Sequence, residues 1–125
     1  MTFDKDYAGV FVSSLCLVHC IAGPVILALG LSTAGFSFFL DEKVHLALVA
    51  PIIVFALWSI PYGYKVHQKP LPLIAAAVGL LMLLLGLIIH EVELILTLSA
   101  SSSIIVAHLF NKKLLKTDKP MACQR

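Results

Sequence analysis

The sequence predicts an all-α membrane protein, a bundle of four transmembrane helices with both termini on the cytoplasmic side. Three observations predict it. Of 125 residues, 60% are hydrophobic and only 13% charged, more apolar surface than a soluble domain of this size can hide. Residues 8–40 and 71–90 contain no Asp, Glu, Lys or Arg, and about 20 such residues of helix cross a hydrocarbon core roughly 30 Å thick. The third is the one-sided placement of Lys and Arg between the apolar runs, which fixes orientation.

The first helix is expected over 8–31, and Asp41-Glu42-Lys43 separates it from a second over 44–61. Pro61-Tyr62-Gly63-Tyr64, followed by Pro70 and Pro72, marks the next connection, because proline and glycine punctuate helices. A third helix is expected over 71–89. After the short turn His90-Glu91-Val92-Glu93 a fourth runs over 92–110, leaving a basic cytoplasmic tail over 111–125. The whole chain reads as a single domain.

With four crossings, Lys5, Lys65, Lys69, Lys112, Lys113, Lys116, Lys119 and Arg125 share one side, and only Lys43 lies opposite. Positive loops stay in the cytoplasm, so the protein is expected in the bacterial inner membrane as a multi-pass protein. The acidic Asp41, Glu42, Glu91 and Glu93 fall on the outer side. The net acidic Asp4-Lys5-Asp6 start does not read as a cleaved secretory signal, whose first region is basic. The basic tail is an orientation feature, and no nucleic-acid partner is expected. The partners implied are the lipid bilayer and a metal ion; a homo-oligomer is compatible with the pattern.

Chemistry concentrates in the first helix at Cys16-Leu17-Val18-His19-Cys20. Residues four apart share a helix face with Cβ atoms about 5–6 Å apart, so one ion held by thiolate bonds of about 2.3 Å can bridge Cys16 and Cys20. Ser13 continues the same stripe, and His19 sits at its edge. Pro24 removes the hydrogen bond to the Cys20 carbonyl, adding an oxygen that must find a partner in lipid. Two cysteines on an apolar helix are also an ordinary packing pattern. An imidazole at membrane depth is costly and therefore a functional-site candidate.

Soft sulfur donors select thiophilic ions, so a soft or borderline divalent ion such as mercury or zinc is expected as the bound or transported species. No organic cofactor is expected. Glu42 and His45, three apart at the start of the second helix, together with His90, Glu91 and Glu93, form a candidate outer cation-catching group. In the fourth helix Thr97, Ser101, Ile104, His108 and Asn111 follow helical spacing on one face. Ser101 and Asn111 are the pathway candidates and His108 a metal ligand near the inner end. Gly79 and Gly86 read as helix-packing positions, His67 as an inner-surface loop residue, and Cys123 as an incidental tail thiol.

Taken together these residues resemble the MerC family of mercury-resistance membrane proteins. The elements that carry the resemblance are Leu15-Cys16-Leu17-Val18-His19-Cys20 followed by Pro24, Glu42-x-x-His45, Gly63-Tyr64-x-x-His67, and Leu96-Thr97 through the serines to Ala107-His108-x-x-Asn111. The resemblance implies an inner-membrane protein that carries mercuric ion to the cytoplasm through a cysteine pair in the first helix. Two departures stand out. Members from mercury operons typically have Cys-x-x-Cys in that helix and a second cysteine pair on the cytoplasmic side. Here the thiols are four apart with His19 between them, and Cys123 is the one other cysteine. A mixed thiol–imidazole site suits zinc equally well.

The leading expectation is inward transport or binding of a heavy-metal ion, with no enzymatic activity, since no nucleophile elbow or phosphate loop is present. One alternative is a membrane haem or redox protein, because His45 and His90 fall at similar depth and two imidazoles can ligate a haem. Another is zinc-type metal homeostasis. A third is an assembly role in which the polar residues only hold helices together.

Overall fold

The computed structural model describes residues 4–31, 35, 37 and 41–118. Among them it contains four long helices and no strand. These are α1 (Lys5–Ala28), α2 (Glu42–His67), α3 (Leu71–Ile88) and α4 (Glu93–Asp118), with a 3-10 turn (His90–Val92) joining the last two. All four are long and apolar enough to cross a membrane. Cys123 lies outside the described residues.

The helix ends differ from the sequence expectation, and each difference has a local cause. α1 begins at Lys5 rather than 8 because Asp4 caps it, its Oδ1 accepting from the Asp6 and Tyr7 backbone N–H groups at 3.2 and 3.4 Å. Such a cap satisfies donors that the first turn leaves without partners. The helix ends at Ala28, where Gly30 takes φ +66° and the Leu31 N–H reaches back to the Ile26 carbonyl at 3.1 Å. That wrap is a left-handed glycine terminus.

α2 starts under an Asp41 cap, whose carboxylate accepts from Lys43 N at 2.9 Å. It passes Pro51 and then Pro61, where the sequence suggested a stop, and continues to His67. A proline removes one hydrogen bond, and here the turn beyond it is held from outside. Gly63 lies flat against Asn111, and His67 Nε2 is 3.0 Å from Asn111 Oδ1. α4 likewise runs eight residues past Phe110. Asn111 and Lys112 at the start of that extension are tied to Asp6 of α1 and to Asp4, the residue that caps it.

α4 packs against the other three helices, and α3 pairs mainly with α4. The close α3–α4 approach depends on Gly79. A Cβ there would meet Ile104 Cγ1 at 2.7 Å and the Ala100 carbonyl at 3.1 Å. Small residues that let backbones approach are the usual adhesive between membrane helices. The buried seam is correspondingly slender: Cys16, Cys20, Val49, Ile52, Ala56, Leu83, Ala100 and Ile104, with Ile60, Ala76 and Ala107 below. Large apolar side chains such as Phe11, Leu57, Leu81 and Ile88 point outward, the arrangement lipid demands. The chain is a multi-pass membrane protein.

Asp4 pairs with Lys112, so α1 begins beside the last turns of α4 and the two described ends share one end of the bundle. We call this the terminal end. Exposed Tyr7, Trp58 and Tyr62 ring it, and Lys5 lies over Trp58, 4.1 Å from its ring centroid. Aromatic and basic side chains at one level mark a membrane–water interface. Counting about 1.5 Å per residue along α1 from Tyr7 places Cys16 roughly 14 Å and Cys20 roughly 20 Å from that interface.

Candidate metal centre

The helix face that carries Cys16 and Cys20 also buries Asp6, Gly9, Ser13 and Gly23, and it turns toward α2 and α4. Both cysteines are reduced and buried. His45 of α2 completes a group in which one donor atom from each residue lies within 4.8 Å of the others. Its Nε2 is 3.9 Å from Cys20 Sγ. On the far side of the same ring, Nδ1 is 2.9 Å from Glu93 Oε1. With Nδ1–H donating to that carboxylate, the Nε2 lone pair faces the thiols, the orientation a metal-ligating imidazole takes. Thr97 reaches Cys20 Sγ at 3.6 Å while its hydroxyl donates to the Glu93 carbonyl at 2.8 Å.

His19 is placed beside these groups, its ring stacked on His45 at a centroid distance of 6.1 Å and 24° between planes. A cavity of about 350 Å³ leads to them, lined by His19, Cys20, Pro24, Glu42, His45, His90 and Glu93 among others. His90 is exposed, and its Nδ1 is 3.4 Å from the second Glu93 oxygen. Glu93 therefore stands between the outer imidazole and the inner one. Cys20 lines this cavity and Cys16 does not; Cys16 lies one turn deeper and is fully buried.

The structure does not bring His108 and Asn111 to this centre. They belong to a second polar group at the terminal end, organised around Asp6. The buried Asp6 Oδ1 accepts from Ser59 Oγ at 2.7 Å and from Asn111 Nδ2 at 3.1 Å, and lies 2.9 Å from His108 Nδ1. His67, read from sequence as a loop residue, is instead a buried α2 residue bonded to Asn111. Ser101 lies between the two groups, beside Cys16. Glu91 is exposed.

Sequence reasoning missed Asp6 and understated Glu93. Asp6 sits three residues before Gly9 on the very stripe that holds Ser13, Cys16 and Cys20, and that spacing was the available signal. For Glu93 the signal was weaker: its place four residues before Thr97, on the face that carries Ser101 and His108.

A family model described as MerC mercury resistance protein matches residues 6–113. The chain belongs to the MerC family. The match takes in every residue of both polar groups, from Asp6 to Asn111. MerC proteins are mercury-resistance membrane proteins rather than a family of known enzymes. No curated protein and no solved structure matches this MerC chain.

Proposed function

We propose that this MerC protein binds a thiophilic divalent ion, mercuric ion first, at Cys16, Cys20 and His45 and passes it through the inner membrane toward the cytoplasm. The observation that carries the proposal is the convergence of two thiols and one imidazole within 4.8 Å inside the bundle. Calcium and magnesium require oxygen ligands, whereas two sulfurs and a nitrogen suit soft or borderline ions. His19, Glu42, His90 and Glu93 on the cavity wall supply nitrogen and carboxylate donors along the approach. The first thiol an arriving ion meets is Cys20, and Cys16 then closes the chelate.

The direction follows from charge. The terminal end carries Lys5, Lys65, Lys69 and Lys112, and the opposite end carries Asp41, Glu42, Glu91 and Glu93. Under the positive-inside bias the terminal end faces the cytoplasm, so the cavity opens outward and the membrane potential draws a cation inward. Three carboxylates (Asp41, Glu42 and Glu93) and three histidines (His19, His45 and His90) on the cavity wall favour capture of a cation from dilute solution.

The test is uptake of mercuric ion into proteoliposomes, paired with thiolate–metal charge-transfer absorbance of the purified protein. Cys16→Ser together with Cys20→Ser is expected to abolish the absorbance and reduce uptake to the protein-free background. Unchanged uptake by that variant would overturn the mechanism. Zinc is the second reading, favoured by the carboxylate-backed imidazole of His45, and the same assay run with zinc separates the two. Against the haem alternative stands the position of His45 Nε2, 3.9 Å from the Cys20 thiol; a Soret band in the purified protein would favour it instead.

A further inference from the structure

Buried polar groups in folded proteins almost always have hydrogen-bond partners, and each exception calls for an explanation. Among the described residues three buried side-chain polar atoms have none: Ser13 Oγ, Ser101 Oγ and His108 Nε2. All three belong to residues with no exposed surface. All three also lie on the seam between the thiol centre and the Asp6 group.

Four pairings across α1 and α4 set the levels along this seam. Cys20 meets Thr97, Cys16 meets Ser101, Gly9 meets the His108 ring, and Asp6 meets His108 and Asn111. Ser13 lies between Cys16 and Gly9 on the buried face of α1. Each turn from the cavity to Asp6 therefore presents a sulfur, oxygen or nitrogen atom, at intervals of about 5 Å.

The orphan hydroxyls are not a by-product of serine in a helix. Their neighbours Ser14 and Ser102 each donate to the carbonyl four residues earlier, at 2.7 and 2.8 Å. That bond is the ordinary refuge of a helical serine in an apolar setting. Ser13 and Ser101, one residue away on the same helices, forgo it and stay fully buried without a partner. At the next level the absence of a side chain at Gly9 lets the His108 ring pack directly on the α1 backbone, since an added Cβ would fall within 2.6 Å of ring atoms.

We propose that Ser13, Ser101 and His108 Nε2 form a relay of weak oxygen and nitrogen donors that receives the metal ion from Cys16 and delivers it to the terminal end, with the buried Asp6 carboxylate as its counter-charge. The proposal rests on the reading of Cys16, Cys20 and His45 as a metal centre. Conduction needs binding weak enough to release and sites close enough to hand over. Two thiolates alone would hold a soft ion too well. A hydroxyl beside the inner thiol offers the incoming donor for ligand exchange, and an imidazole one to two turns on offers a better one.

The test uses full-length protein in proteoliposomes with mercuric ion as the probe. Ser13→Ala with Ser101→Ala is expected to keep the stoichiometry and charge-transfer absorbance of the thiol centre while uptake falls roughly tenfold. Its unfolding midpoint should change little, because Ser13 Oγ has no hydrogen-bond partner and Ser101 Oγ faces only the Cys16 thiol. Ser13→Cys, which replaces a weak donor with a strong one, should bind the ion more tightly and also transport it more slowly. Normal uptake by the double alanine variant, or a loss of uptake that tracks a fall in unfolding midpoint, would overturn the relay. An unmodified protein without the thiolate absorbance would overturn the metal centre and the relay with it, a result seen before any variant is made.

Discussion

The imidazole of His45 works in two directions, and its value as a ligand depends on the carboxylate behind it. Replacing Glu93 with Gln keeps the size and removes the charge that orients Nδ1–H. Loss of such a supporting group lowers metal affinity about 10- to 100-fold, which competition titration against a small-molecule chelator would register while the thiolate absorbance persists. The Asp6 carboxylate poses a different problem, since Ser59, His108 and Asn111 all turn to it. Asp6→Ala strands these buried groups and should destabilise the bundle by about 3 kcal/mol or more, measured by thermal unfolding in detergent. Asp4 shows the contrasting behaviour of a surface carboxylate. Burial pushes its carboxyl up, but the Lys112 ammonium and the Tyr7 and Asp6 N–H groups outweigh that and hold it below its usual 3.8. A depressed carboxylate stabilises the fold above its unfolded pKa and loses that contribution as pH falls through the lower folded value. The unfolding midpoints of the wild type and Asp4→Asn, which keeps the cap, should therefore run parallel from about pH 8 to 5 and converge only below about pH 4. Cys16 and Cys20 were legible because their spacing is local. His45 was legible as a candidate of the outer cation-catching group, but its place beside Cys20, 25 residues away in sequence, was not, and Asp6 was missed because His108 and Asn111 lie more than 100 residues from it.

At the scale of the helices, number and order were legible from charge-free length, whereas their ends were not. α2 outruns Pro61 and α4 outruns Phe110 because contacts between helices hold the extra turns, and no local propensity announces such contacts. Gly63 is the clearest case. It sits where a Cβ would collide with Asn111, so Gly63→Ala should displace that amide, release His67, and cost about 1–3 kcal/mol. Hydrogen exchange confined to the last turns of α2 would locate the loss. Gly79→Ala is expected to loosen the α3–α4 pair by a similar amount, with Ile104 able to move but the Ala100 carbonyl not.

Across the whole molecule, the two polar groups sit at opposite levels of one bundle, joined by α1 and α4. If the terminal end is cytoplasmic, a fluorescent protein fused to the carboxyl terminus should mature and glow, and alkaline phosphatase inserted after Asp41 should be active outside; the reverse pattern would invert the proposed direction. α4 supplies the residues that finish both groups: Glu93 behind His45, and His108 with Asn111 around Asp6. Ribosomes make that helix after the other three. During synthesis, then, α1 enters the bilayer carrying an acidic residue that has nothing to neutralise or solvate it there except lipid headgroups near the interface. The thiol centre has its three donors on α1 and α2 but lacks Glu93 behind His45, and the Asp6 group lacks His108 and Asn111, until the final segment is threaded in. Completion of insertion is therefore the event that gives the buried Asp6 carboxylate its partners and orients the His45 ring.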